Sequence, residues 1–96
     1  MTDYRIRLEA VREIHDNYFL NEIVINDSNR NVKIAAVNNI TDQNYLMGIA
    51  MKLSSCHVRI AAIKNINDIK ALQDIAENDS NRTVKKIAFK KIKEIM

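Results

Sequence analysis

NDSNR stands at Asn26–Arg30 and again at Asn78–Arg82, 52 positions apart in a chain of 96 residues. Five identical residues point to a duplicated unit, and halving the interval uncovers a shorter one. Stepped at 26, the chain falls into columns: Ile6, Val32, Val58 and Val84; Arg7, Lys33, Arg59 and Lys85; Ala10, Ala36, Ala62 and Ala88. Val11, Val37, Ile63 and Phe89 form the next, then Ile14, Ile40, Ile66 and Ile92. Asp16, Asp42 and Asp68 follow, with Glu94 in the fourth copy, and then Leu20, Leu46 and Leu72. In the third copy KLSSC replaces NDSNR, which hides the period. The chain reads as one domain, 1–96, of units at about 1–26, 27–52, 53–78 and 79–96.

The spacing inside a unit predicts two helices. Val32, Ala36 and Ile40 lie at i, i+4 and i+8, one helix face. Leu46, Ile49 and Ala50 lie at i, i+3 and i+4, a second and shorter helix. Asp42 is placed to cap that second helix, and Asp27, Ser28 and Asn29 offer caps for the next first helix. Longer helices are expected near 2–14, 29–40, 55–66 and 81–95, and shorter ones near 16–25, 42–52 and 68–77. That is three and a half helical hairpins, about seven helices, all-α. One glycine and no proline agree, because sheets need turns that use those residues. A lone hairpin cannot bury its apolar faces but stacked neighbours can, so the units form a solenoid.

The stretches VKIAAVNNITD (Val32–Asp42) and VRIAAIKNIND (Val58–Asp68), each followed by L-x-x-I-A, carry a resemblance. The unit resembles the HEAT-like repeats, in the short-period variety of phycobilin-lyase-type and related bacterial and archaeal proteins. The resemblance implies a right-handed α-α superhelix with the short helices on the concave side. It also implies ladders of Asp16 to Lys33, Asp42 to Arg59 and Asp68 to Lys85. It implies a scaffold or binding surface; nothing in the sequence marks a tetrapyrrole site.

Charge is uneven. Residues 1–79 hold nine Lys/Arg against eleven Asp/Glu, and residues 80–96 hold six against one, so a net −2 precedes a net +5. Lys85, Lys86, Lys90, Lys91 and Lys93 wrap the last helix; they read as a polar cap on the final unit or as a patch for nucleic acid or acidic partners. Phe89 is expected in a core column, leaving that patch without an exposed aromatic. No apolar run spans a membrane, and the N-terminus is charged throughout, unlike a signal peptide. A single cysteine fits a reducing cytoplasm.

Chemistry-bearing clusters are lacking. Cys56 and His57 are adjacent, but neighbours on a helix point about 100° apart and a zinc ion needs three or four converging ligands. His15 lies two units away. Ser54 and His57 lack an orienting acid and an oxyanion hole, and Ser54 shares the capping column of Ser28 and Ser80. Asp74 and Glu77 read as solvated surface. No catalytic role, metal or cofactor is expected. Opposite the core side of the second helices lie Tyr18, Glu22 and Ile25, then Asn44, Gly48 and Met51, then Lys70, Asp74 and Glu77. Gly48 costs about 1 kcal/mol of helix stability relative to alanine, which suggests a close approach. The sequence therefore predicts a cytoplasmic, non-catalytic, protein-binding scaffold with Tyr18, Ile25, Asn44, Gly48, Met51 and Lys70 as its site. Nucleic acid on the lysine-rich helix is the alternative, and the open ends of the array offer a route to self-association.

Overall fold

A computed structural model of the chain describes residues 3–52 and 55–96. Among them are seven α-helices and no strand: α1 (Tyr4–Val11), α2 (Asn17–Asn26), α3 (Arg30–Asn39), α4 (Gln43–Lys52), α5 (Cys56–Lys64), α6 (Ile69–Asn78) and α7 (Arg82–Ile95). None of these helices is long and apolar enough to cross a membrane.

Side chains of the polar columns set the helix ends. Asp16 accepts from the Phe19 N–H at 3.1 Å, Asp42 from Asn44 at 2.8 Å and Asp68 from Ala71 at 3.1 Å, each capping a second helix. In the NDSN turns the work is divided. Asp27 and Asp79 accept from the Asn29 and Asn81 N–H groups at 2.9 Å, closing the turn. Asn29 and Asn81 then cap the next helix, accepting from Val32 at 3.2 Å and Val84 at 3.0 Å. The first helices end earlier than their apolar spacing predicts. Ile14, Ile40 and Ile66 lie past the helix ends, each N–H bonded three residues back to Val11, Val37 and Ile63. Ile40 and Ile66 are nonetheless buried, so their spacing reads as helix after the backbone has turned away. The expected contrast between long and short helices is absent: α2, α3, α4 and α6 are all 10 residues, and only α7, at 14, is longer.

Packing follows two patterns. Helices α1, α3, α5 and α7 form a row in which each touches the next, and α2, α4 and α6 pack on α3, α5 and α7. The tight pairs thus span the NDSNR-type turn, one helix out of step with the unit read from the sequence. Leu20, Val24, Val32, Ala36, Leu46, Ala50, Val58, Ala62, Leu72, Val84 and Ala88 are buried in one continuous core. Burial of each Val- or Leu-sized side chain stabilises the fold by about 1.5–3 kcal/mol. Ile6 breaks its column: it is 61% exposed while Val32, Val58 and Val84 are buried, and Ala10 is exposed beside it. Among the described residues no helix covers that face of α1 as α2 covers α3.

The polar ties between units differ from the expected ladders. Asp16, Asp42 and Asp68 are engaged as caps of their own helices, and the pairs to Lys33, Arg59 and Lys85 do not form. Arg7 pairs instead with Asp27 at 2.9 Å, and Arg59 pairs with Asp79 while also donating to the Ala50 carbonyl at 2.7 Å. Amides add the remaining ties. Asn39 Nδ2 donates to the carbonyls of Val11, Arg12 and Ile14. Asn17 and Gln43 accept from the Thr41 and Asn67 N–H groups at 2.9 and 2.8 Å.

Candidate protein-binding grooves

The second helices expose the expected stripe, divided into two grooves. Tyr18, Ile25 and Met51 are 63%, 50% and 51% exposed, Asn44 and Lys70 are exposed, and Gly48 is half-buried. Asn21 and Ile25 of α2 face Asn44, Tyr45, Gly48, Ile49 and Lys52 of α4 across a groove of about 220 Å³. Met51 lies on the other side of α4, where it shares a groove of about 170 Å³ with Asp74, Ile75, Asn78 and Asp79. The two grooves are equivalent positions one period apart: Ile25 matches Met51, Gly48 matches Asp74, and Lys52 matches Asn78. Ile25 and Met51 therefore line successive grooves. Tyr18 and Lys70, near the starts of α2 and α6, line neither.

Gly48 distinguishes the first groove from its neighbour. In its column, Glu22 accepts from Asn26 at 3.1 Å and Asp74 accepts from Asn78 at 2.8 Å. The α4 counterpart, Gly48 with Lys52, has no such bridge and leaves backbone bare. A Cβ added at Gly48 would meet no atom within 4 Å. Among the described residues nothing approaches closely enough to need glycine there. On α2, a hydrogen bond to the Glu22 carboxylate raises the pKa of the Tyr18 hydroxyl.

The α2–α4 groove also contains Asn21, Tyr45 and Lys52, which the direction opposite the core did not single out. A groove is walled by the flanks of two helices, about 100° from the outward direction, and flanks follow only from knowing which helices are neighbours. Tyr45 shares a column with Phe19, itself exposed, and that aromatic pair was the available signal.

Four lysines of α7 surround an exposed aromatic. Lys85, Lys86, Phe89, Lys90 and Lys93 line a groove of about 360 Å³ with Ala76, and the Lys93 ammonium lies 4.9 Å from the Phe89 ring centroid. Lys91 is directed to the opposite flank, beside Lys64 and Ile87. The expectation that Phe89 is core is overturned: it is 55% exposed. Its column mates Val11, Val37 and Ile63 are buried where a further first helix packs on their own, and no described helix packs over Phe89.

Cys56 opens α5 half-buried against the core, and His57 beside it is exposed. Ser54 lies outside the described residues. Among those described, no three His, Cys, Asp or Glu side chains converge as metal ligands. Compared with known proteins, the chain matches no family model, no curated protein and no solved structure.

Proposed function

We propose that this chain is a non-catalytic, cytoplasmic, protein-binding scaffold: a HEAT-like solenoid, right-handed, with its second helices along the inner face. Its site is the groove between α2 and α4, and the partner element is a helix laid along it against Gly48. Gly48 carries the reading. It sits inside a helix, where glycine costs about 1 kcal/mol relative to alanine, and among the described residues no atom uses the space it leaves. A partner backbone does. Ile25, Tyr45 and Ile49 supply apolar walls, and Asn21, Asn44 and Lys52 supply polar ends, the mixture typical of helix-in-groove recognition. Tyr18 is a flanking aromatic anchor.

The test is Gly48→Ala, measured for stability and for affinity toward a protein recovered from the native extract and then purified. The variant should melt higher, by about 0.4–1 kcal/mol, and bind that protein at least about tenfold more weakly. A variant that is stabilised yet binds as well as the wild type overturns the groove.

The exposure of Phe89 among lysines favours a second reading, an anionic partner such as nucleic acid on α7. Its mark is salt dependence: log affinity for duplex should fall with log salt by about 0.9 per phosphate contacted. Sequence-specific, submicromolar binding at about 0.15 M salt would displace the groove reading.

A further inference from the structure

We propose that the two ends of the first-helix row recognise each other, so that a second copy of this chain stacks its α1 on the α7 end of the first. The inference is independent of the α2–α4 groove, which lies on other helices. It rests on the register of the row. Asn65 Nδ2 donates to Asn38 Oδ1 at 3.0 Å, and Asn39 Nδ2 donates to the carbonyls of Val11, Arg12 and Ile14 at 3.0, 3.3 and 3.4 Å, a set centred on Arg12. Ile34 and Ala61 line one groove between α3 and α5, and Lys64 and Lys91 line the next, between α5 and α7. These contacts centre on a separation of 27 residues: a residue of one first helix lies beside the residues about one period and one position further on.

Continued past α7 into a second copy, that register sets Lys86 beside Glu9 and Lys90 beside Glu13. Inside the chain the first of these rungs is apolar: Leu8 with Ala35, Ile34 with Ala61, Ile60 with Ile87. The second is Arg12 with Asn39, Asn38 with Asn65, and Lys64 with Lys91. On these two rungs opposite charges meet only at the junction between copies. Glu9, Glu13, Lys86 and Lys90 are all exposed and free to pair. Phe89, bare at this end, would be covered as Val11, Val37 and Ile63 are. Pairing of the Glu9 and Glu13 carboxylates with the Lys86 and Lys90 ammonium groups orients one copy head to tail on the next.

The chemistry of this face favours protein over nucleic acid. Single-strand binders stack successive bases on several aromatics, whereas α7 exposes one, in a column that elsewhere packs helix on helix. The junction is one helix on one helix with no second helix beside it, so association is weak and salt-sensitive. It joins unlike ends, so it propagates as an open series of oligomers and does not close as a symmetric dimer.

Sedimentation over a concentration series tests it with two double variants, Glu9→Lys/Glu13→Lys and Lys86→Glu/Lys90→Glu. All four positions are exposed, and unchanged helical circular dichroism checks folding. The wild type should show a mean mass rising with concentration and falling with salt. Each double variant alone should associate about tenfold more weakly or less. Mixed in equal amounts they should associate again, because each then meets an oppositely charged end. A mixture that stays monomeric overturns the proposal, as do variants that assemble like the wild type. So would a wild type that is monomeric throughout while retaining a short single-stranded oligonucleotide through Phe89.

Discussion

Arg7 and Asp27 illustrate how one residue ties local and tertiary structure. Asp27 closes the NDSN turn through the Asn29 N–H and pairs with Arg7 from the preceding unit at 2.9 Å. The Arg7 guanidinium, first of several causes, holds the Asp27 carboxyl below its ordinary pKa. A lowered carboxylate pKa contributes stability that is present above the unfolded value and lost as pH falls through the folded value. Acid titration of the melting temperature should therefore show a decline beginning near the ordinary carboxylate range, about pH 4. Asp27→Asn should be less stable at neutral pH and show a shallower decline below that range. An unchanged slope would mean that the pair does not survive in solution. Asn29 is uncharged and cannot supply this pairing.

Helices raise a different question, because equivalent positions on them are not equally loaded. Ile63 and Phe89 occupy the same column, yet Ile63 is fully buried and Phe89 is exposed. Ile63→Ala should cost about 2–5 kcal/mol in a urea melt, the range for an aliphatic side chain deleted from a packed core. Phe89→Ala should stay within about 0.5 kcal/mol, as for a surface site. Equal costs would mean that α7 is covered in solution by something, and the end-to-end junction would be the first candidate. The capping column gives a second check at this scale. Asp68→Ala removes the acceptor for the Ala71 N–H at the start of α6 and should cost about 0.5–2 kcal/mol by the same melt.

Across the whole molecule, 40 × 22 × 18 Å in extent, stability should be graded along the row. Helices α3 and α5 have neighbours on both sides, whereas α1 is covered by α3 but leaves Ile6 and Ala10 open. Each helix depends on its neighbours for burial, so opening begins where a neighbour is missing. Native-state hydrogen exchange should be slowest for the amides of Ala36, Val37, Ala62 and Ile63 and faster through α1. Uniform protection would show that the seven helices open only as one unit.

The period of 26 and the two apolar spacings within it were enough to determine seven helices, their order and most of their ends, because helix periodicity is a local property of a chain. The aspartate caps followed for the same reason, since a cap acts on its own helix within three residues. The exposure of Tyr18, Ile25 and Met51 followed from helix phase, which is local too. What the tertiary structure alone decided is which faces meet. It moved the tight pairing onto the NDSNR turn, replaced the aspartate–lysine ladder by Arg7–Asp27 and Arg59–Asp79, and split the stripe into grooves on either side of α4. It also turned Phe89 from core to surface. In each case the deciding quantity is the presence or absence of a neighbouring helix, and a column of apolar residues cannot encode what stands next to its last member.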